Sequence, residues 1–302
     1  MYYPALLARR DGGDGVKICR GKDKEQGMKR FLAWLLCILC AVGSGLAADV
    51  SDIRGYEKDK DYQILELGTY PYEEDGSVAP LKWRVLYTEN QVATLITEYI
   101  IDVHQVILTD DFKTTEKRKY RPFMSFPESD LYAYLNGEML DTICAGQNFR
   151  DALEETENGK LFIFTNLEYM NEDYGFPHTK SGSTIENPGE VAVAAAKRRM
   201  AVGTPYAKTH TLYEDWTGKN KRLYVDINGC SPYWTATMRR TDGKGSYLGI
   251  IGKNGHISWS GYGSVHIGVR PVIRIDLSGF RVIGGSGTLE DPWRLDQAAA
   301  VD

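Results

Sequence analysis

The clearest alternation of apolar and polar positions lies near the carboxyl end, from Ser231 to Leu277. Tyr233 to Met238 alternates large and small residues, which is the period of a half-buried strand. Thr241 to Gly245 has the composition of a reversing loop, and Tyr247 to Ile251 is apolar and partly β-branched. Lys253-Asn254-Gly255 carries the Asn-Gly pair of a two-residue hairpin turn, whose central residues both need positive φ, so His256 to Trp259 is the expected return strand. Val269 to Leu277 alternates again, with Val269, Pro271 and Ile273 on one side and Arg270, Val272 and Arg274 on the other. Pro271 has no N–H to give to a ladder, which predicts a late start or an edge position for that strand.

The first half mixes periods. Tyr62 to Leu67 alternates as a first strand, and Gly68 to Pro80 has the Pro and Gly content of a turn region. Leu81 to Tyr87 and Gln91 to Thr97 form an expected hairpin around Glu89-Asn90, with Trp83, Val85 and Tyr87 on one face and Val92, Thr94 and Ile96 on one face of the partner. Asp110 to Arg121 is a charge run that reads as a solvated loop. Ser125 to Pro127 leads into a helix capped by Glu128 or Ser129, with Leu131, Tyr134, Leu135 and Met139 at helical spacing and Gly137 ending or interrupting it. A second short helix is expected within residues 141–153, a buried strand over Lys160 to Thr165, and helices over Leu167 to Tyr174 and Glu190 to Met200, with a loop from Phe176 to Pro188 between those two. The expected fold class is α+β, with short helices in the first half and antiparallel hairpins in the C-terminal half.

The ends change the picture. Lys29 and Arg30 precede an apolar run from Phe31 to Val42, followed by Gly43-Ser44-Gly45-Leu46-Ala47. That is the order of a secretory signal peptide, with Gly45 and Ala47 at the positions before a cleavage site, and the run is shorter than the roughly 20 residues of a spanning helix. Residues 1–27 then read as an upstream polar extension ahead of a start at Met28, residues 28–47 as the signal peptide and 48–61 as a linker. Residues 62–279 read as the folded domain and 280–302 as a C-terminal tail with one short strand around Trp293-Arg294-Leu295. The expected location is secreted or extracytoplasmic, at the periplasm or cell surface, with membrane contact only through the signal sequence if it stays uncleaved. The 302 residues carry a net charge of −5, which argues against a nucleic-acid surface. Beyond the signal, Cys144 and Cys230 remain, and an oxidising compartment permits them to pair.

Six spaced segments carry a resemblance: Leu67-Gly68-Thr69-Tyr70-Pro71, Leu81 to Leu86, Ser129 to Gly137, Thr204-Pro205-Tyr206-Ala207, Tyr233-Trp234-Thr235-Ala236-Thr237, and, after the hairpin around Asn254-Gly255, Gly268-Val269-Arg270-Pro271-Val272. On these, residues 65–277 resemble an uncharacterised bacterial secreted domain family. Its fold is related to C-type-lectin-like domains and to formylglycine-generating (sulfatase-modifying-factor-like) enzymes. The resemblance implies a C-type-lectin-like fold, which hosts binders and enzymes alike. It also implies a ligand-binding face in the hairpin region. Formylglycine-generating enzymes use two nearby cysteines in the C-terminal region, where this chain has Cys230 alone.

Chemistry is otherwise sparse. His104, His178, His210, His256 and His266 show no metal-binding spacing, and there is no G-x-S-x-G. Glu186-Asn187-Pro188 has the wrong order for a calcium-dependent sugar site. No metal and no cofactor is expected. What stands out is aromatic and cationic: Arg239, Arg240, Tyr247, Trp259, Tyr262 and His266 lie in or beside the hairpins, and aromatic residues with Arg carry binding energy at interfaces. Trp234 reads as core. The expectation is a non-catalytic domain that recognises an extracellular protein or glycan. An oxidase of the formylglycine-generating type and an envelope structural protein are the alternatives.

Overall fold

The computed structural model describes residues 48–106, 125–178, 197–209, 230–241, 245–261 and 266–297. The expected signal peptide and upstream extension, the charge run, Tyr262, and most of the expected helix over Glu190 to Met200 lie outside the described residues. The fold is α+β and dominated by strands.

Six strands form one sheet in the order β10-β11-β1-β2-β3-β9. They are β1 (Ile64–Pro71), β2 (Val78–Glu89), β3 (Val92–Thr97), β9 (Val272–Asp276), β10 (Phe280–Gly284) and β11 (Trp293–Gln297). Five more form a second sheet in the order β4-β8-β5-β6-β7. These are β4 (Asp102–Gln105), β5 (Tyr233–Thr241), β6 (Gly245–Ile251), β7 (Ile257–Gly261) and β8 (His266–Val269). Pairing is antiparallel except for β1 with β11 and β5 with β8. Strands therefore fill both halves of the chain, against the expected segregation. Residues 280–297, read as a tail, supply β10 and the sheet-interior strand β11.

The helical elements are short. Ser129 caps α1 (Asp130–Tyr134), accepting the Tyr132 N–H at 3.1 Å. Gly137 lies in a π-turn (Leu135–Met139), and the helix runs on as α2 (Leu140–Ile143) rather than ending there. Leu131, Leu135 and Met139 are fully buried, as their spacing predicts. α3 (Pro205–Thr209) packs beside β4.

Several expectations fail for a physical reason. The alternating run Val269 to Leu277 is two strands in two different sheets, parted at Arg270-Pro271. β9 does start after Pro271 and lies at its sheet's edge. Gly68 to Pro71, read as turn, continues β1 past a bulge between Glu66 and Thr69. A further bulge between Val85 and Tyr87 sends Leu86 into the second core and leaves Tyr87 exposed, so Tyr87 does not share the Trp83 face. Leu167 to Tyr174 makes two 3₁₀ turns instead of a helix.

Residues 161–164 explain how the two cores are separated. Leu161 and Ile163 join the core that unites α1, α2 and both sheets, whereas Phe162 and Phe164 join the second core with Leu86, Ile96 and Tyr233. The segment alternates as expected but forms no strand. Phe162 exchanges backbone hydrogen bonds with Val272 of β9 at 3.1 and 2.7 Å, and the Phe164 carbonyl accepts the Ala236 N–H of β5 at 2.9 Å. Asn136 clamps its start, accepting N–H groups of Lys160 and Leu161 and donating to the Leu161 carbonyl at 3.0 Å.

Candidate functional site

The hairpins β5-β6-β7 carry the aromatic and cationic residues singled out above. Arg239 stands opposite Tyr247 across β5–β6, and Trp259 stands opposite Gly249 across β6–β7. Tyr247 and Gly249 are two apart on β6, so these positions share one face. The Arg239 guanidinium carbon lies 5.6 Å from the centre of the Trp259 ring. Arg239 thus reaches diagonally across β6 to the Trp259 ring. Arg239 is exposed, and Tyr247 and Trp259 are half-buried. Among the described residues Arg239 has no carboxylate partner; its contact is the indole face, a cation–π arrangement worth about 0.5–1 kcal/mol at an exposed site.

The local fold follows from a bulge and a turn. β5 changes register against β6 between Trp234 and Met238, and the displaced residues bond elsewhere. Thr237 Oγ1 accepts the Asn166 N–H at 2.6 Å, and Thr235 Oγ1 donates to Asn166 Oδ1 at 2.8 Å. That buried pair lies against Gly249, where an added Cβ would be 2.2 Å from Thr235 Oγ1 and 2.7 Å from Asn166 Oδ1. The β6–β7 turn is not the expected two-residue type. Only Gly255 has positive φ, at 77°, while the Gly252 N–H bonds the His256 carbonyl at 2.7 Å and the Gly255 N–H bonds the Gly252 carbonyl at 2.8 Å. This is a three-residue loop ending in a left-handed glycine. It still returns Ile257 onto Ile251 and Trp259 onto Gly249.

The remaining candidates are not all brought together. Arg240 is in register with Ser246, next along β5. His266 starts β8, opposite Gln105, with β5 and β6 between it and β7, so the sheet order removes it from the Trp259 neighbourhood. Trp234 is fully buried as expected, and its indole N–H donates to the His104 carbonyl at 2.8 Å. Cys144 and Cys230 do not form the disulfide read as permitted. Cys144 closes α2 beside the first core, Cys230 bridges to Val202, and both are buried thiols. Burial pushes the Cys144 thiol up to about 11, away from the thiolate.

Sequence reasoning missed a second polar centre. Asp102, at the start of β4, is buried. Its Oδ2 accepts the Tyr70 phenol at 2.6 Å and also the Tyr134 phenol, and the two phenol oxygens are 3.0 Å apart. The His104 ring stacks on Tyr134 at 4.8 Å and meets Asp130 Oδ2 at 3.1 Å. Burial first, and the Asp102 charge second, push both phenols far above the ordinary tyrosine value. The one signal for it in the sequence was an acid inside the apolar run Ile100-Ile101-Asp102-Val103. Among the described residues no group of three or more His, Cys, Asp or Glu is placed to hold a metal ion. A groove of about 850 Å³ opens where β1 and β11 diverge, lined by Leu67, Phe149, Phe280, Ile283 and Arg294 among others; it holds none of the hairpin candidates.

No family model, no curated protein and no solved structure matches this chain.

Proposed function

We propose that this chain is a non-catalytic, extracytoplasmic recognition domain of C-type-lectin-like architecture, and that it binds a protein or glycan ligand across the Arg239–Tyr247–Trp259 face. The observation that carries this reading is the exposed guanidinium laid over the Trp259 ring with no carboxylate partner among the described residues. Such a pair offers an amphipathic plate and a cation held in one place, the combination that concentrates binding energy at interfaces. The face lies on three adjacent strands of one sheet braced by a buried Asn166–Thr235 bond, so its geometry is set before a ligand arrives. The raised Cys144 thiol gives little support to the thiol-oxidase alternative, because the thiolate is the reactive form.

A screen of glycans and surface proteins against the full chain, with Trp259→Ala and Arg239→Ala beside it, tests the proposal. Each variant is expected to weaken binding about tenfold or more at unchanged thermal stability. Equal binding by both variants and the parent would place the ligand elsewhere.

A further inference from the structure

We propose that the ligand is an extended, acidic polypeptide segment, and that it pairs with β7 as a sixth strand of the five-stranded sheet. This rests on the recognition reading above and names its ligand class.

β7 ends the sheet, and the phase of its hydrogen bonding is fixed by the turn. The Gly252 N–H bonds the His256 carbonyl, so Gly252 and His256 are a hydrogen-bonded pair. The register runs unbroken from Ile251↔Ile257 to Tyr247↔Gly261. Antiparallel pairs alternate between bonded and non-bonded, so Ser258 and Ser260 bond back to β6, and Ile257, Trp259 and Gly261 turn their N–H and C=O groups outward. Among the described residues no strand pairs with that outer edge.

The other sheet ends are guarded. β9 is covered by the bridges from Leu153 and Phe162. At β4, the adjoining Ile100 pairs with Gly203 and α3 packs alongside. β10 carries Arg281, ion-paired with Asp296 at 2.8 Å. β7 reads Ile257-Ser258-Trp259-Ser260-Gly261, with no charge and no proline, and so lacks the usual devices against an added strand.

The acidic character comes from charge. The chain as a whole is net negative at −5, yet residues 243–275 contain no Asp or Glu, while Lys244, Lys253, Arg270 and Arg274 lie within them. Arg270 is buried and Arg274 is paired with Glu154, Lys253 belongs to the turn, and on the β5–β7 face itself Arg239 is the exposed cation among the described residues. Its guanidinium already lies over the Trp259 ring, at β7. An added strand runs about 4.8 Å farther out, so a carboxylate on its facing side comes within reach of Arg239 while the methylenes of that same side chain lie against the indole.

The test uses the full chain and a synthetic peptide in which Glu alternates with Val. Its arms are the same peptide with Lys for Glu, the Glu peptide with alternate backbone amides N-methylated, and an acidic polysaccharide. The Glu peptide is expected to bind, to weaken about tenfold in Arg239→Ala, and to weaken as salt screens the charge. The Lys and N-methylated peptides are expected not to bind. Bound peptide should slow hydrogen exchange at the Trp259 amide, and Trp259→Pro should abolish even the weakened binding that Trp259→Ala keeps, since only proline deletes the outward N–H. The N-methylated arm holds even if Trp259→Pro fails to fold. Equal binding of the N-methylated and parent peptides would overturn strand addition. Trp259-dependent binding of the polysaccharide alone would overturn the peptide ligand and leave the recognition face standing. A probe that binds equally to the parent, Arg239→Ala and Trp259→Ala would overturn both.

Discussion

Arg270 donates from Nε to the carbonyl of Thr97 at 2.8 Å, at the corner where the chain changes sheets twice. β3 ends at Thr97 and leads to β4 in the other sheet, and β8 gives way to β9 across Arg270-Pro271. The buried guanidinium also donates to the Arg199 carbonyl and the Tyr233 phenol oxygen, each at 3.3 Å, and to the Glu98 carbonyl at 3.4 Å. It therefore supplies donors to carbonyls that neither sheet ladder reaches. Arg270→Met is expected to lower stability by about 3 kcal/mol, because buried carbonyls left without donors cost about 1–3 kcal/mol each. Arg270→Lys should recover only part, since an ammonium lacks the guanidinium fork. Urea unfolding of the two variants measures this; midpoints equal to the parent would mean the corner holds without Arg270.

Gly249 and Thr235 make a second prediction. A Cβ on residue 249 would collide with the buried Thr235–Asn166 bond, so Gly249→Ala must displace that pair or β6. The expected loss is about 1–3 kcal/mol, the range for overpacking. Thr235→Ala in the same chain removes the closer of the two obstructing atoms. Thermal unfolding of the single and double variants should therefore be non-additive, with the double variant losing less than the sum. Strict additivity would show that Gly249 does not sense Thr235.

What the sequence disclosed and what it hid divide along local and non-local physics. The hairpin around Asn90 was legible because Asn90 and Gln91 adopt positive φ, at 51° and 65°, where few residues are comfortable. Strand β5 was legible by alternation, β6 by its apolar and partly β-branched run, and β7 as the return strand of the Asn254-Gly255 turn. Alternation does not say which sheet a strand joins, so Pro271 announced the late start of β9 but not the change of sheet at Arg270-Pro271. Residues 161–164 have the pattern of a buried strand because their side chains do alternate between two cores, yet their partners are split between β9 and β5. Arg239, Tyr247 and Trp259 were legible as residue types in one region, but their meeting depends on the register of three strands. The Tyr70–Asp102–Tyr134 cluster joins three distant elements, and no spacing announces it.

The Arg84–Glu98 pair sets a pH dependence. Arg84 holds Glu98 in a two-pronged contact, Nη2 to Oε1 at 2.7 Å and Nε to Oε2 at 2.9 Å, and both side chains are largely buried. Burial alone would raise the Glu98 carboxyl, but the Arg84 charge and hydrogen bonds together outweigh it and hold the group below its usual value. A carboxyl lowered by folding stabilises above its unfolded value, near 4.3, and that contribution is lost as pH falls through the folded value. Glu98→Gln should cost about 3 kcal/mol at neutral pH by stranding the Arg84 charge. The gap to the parent should close as the pH drops below about 4. Chemical unfolding across that range checks it, and a gap constant with pH would show that the pair does not titrate with folding.

Asp102 governs the alkaline side. Tyr70 and Tyr134 both give their phenol protons to Asp102, and burial, followed by that charge, keeps both protonated well beyond the ordinary value. Tyr62, pushed up to about 12 by burial, behaves alike. A phenol raised by folding contributes stability that is whole below its unfolded value, about 10, and is lost as pH rises from there toward the folded value. Stability should therefore fall steeply above about pH 10, with phenolate absorbance of these residues appearing together with unfolding instead of before it. Asp102→Asn replaces a charged acceptor with a neutral one and should cost about 3 kcal/mol at neutral pH, two charge-assisted bonds being weakened. Its alkaline limb should be shallower, because the charge that opposed ionisation is gone, so the two stability curves approach each other above pH 10. Parallel curves for the parent and Asp102→Asn would mean that the phenols owe their protonation to burial alone.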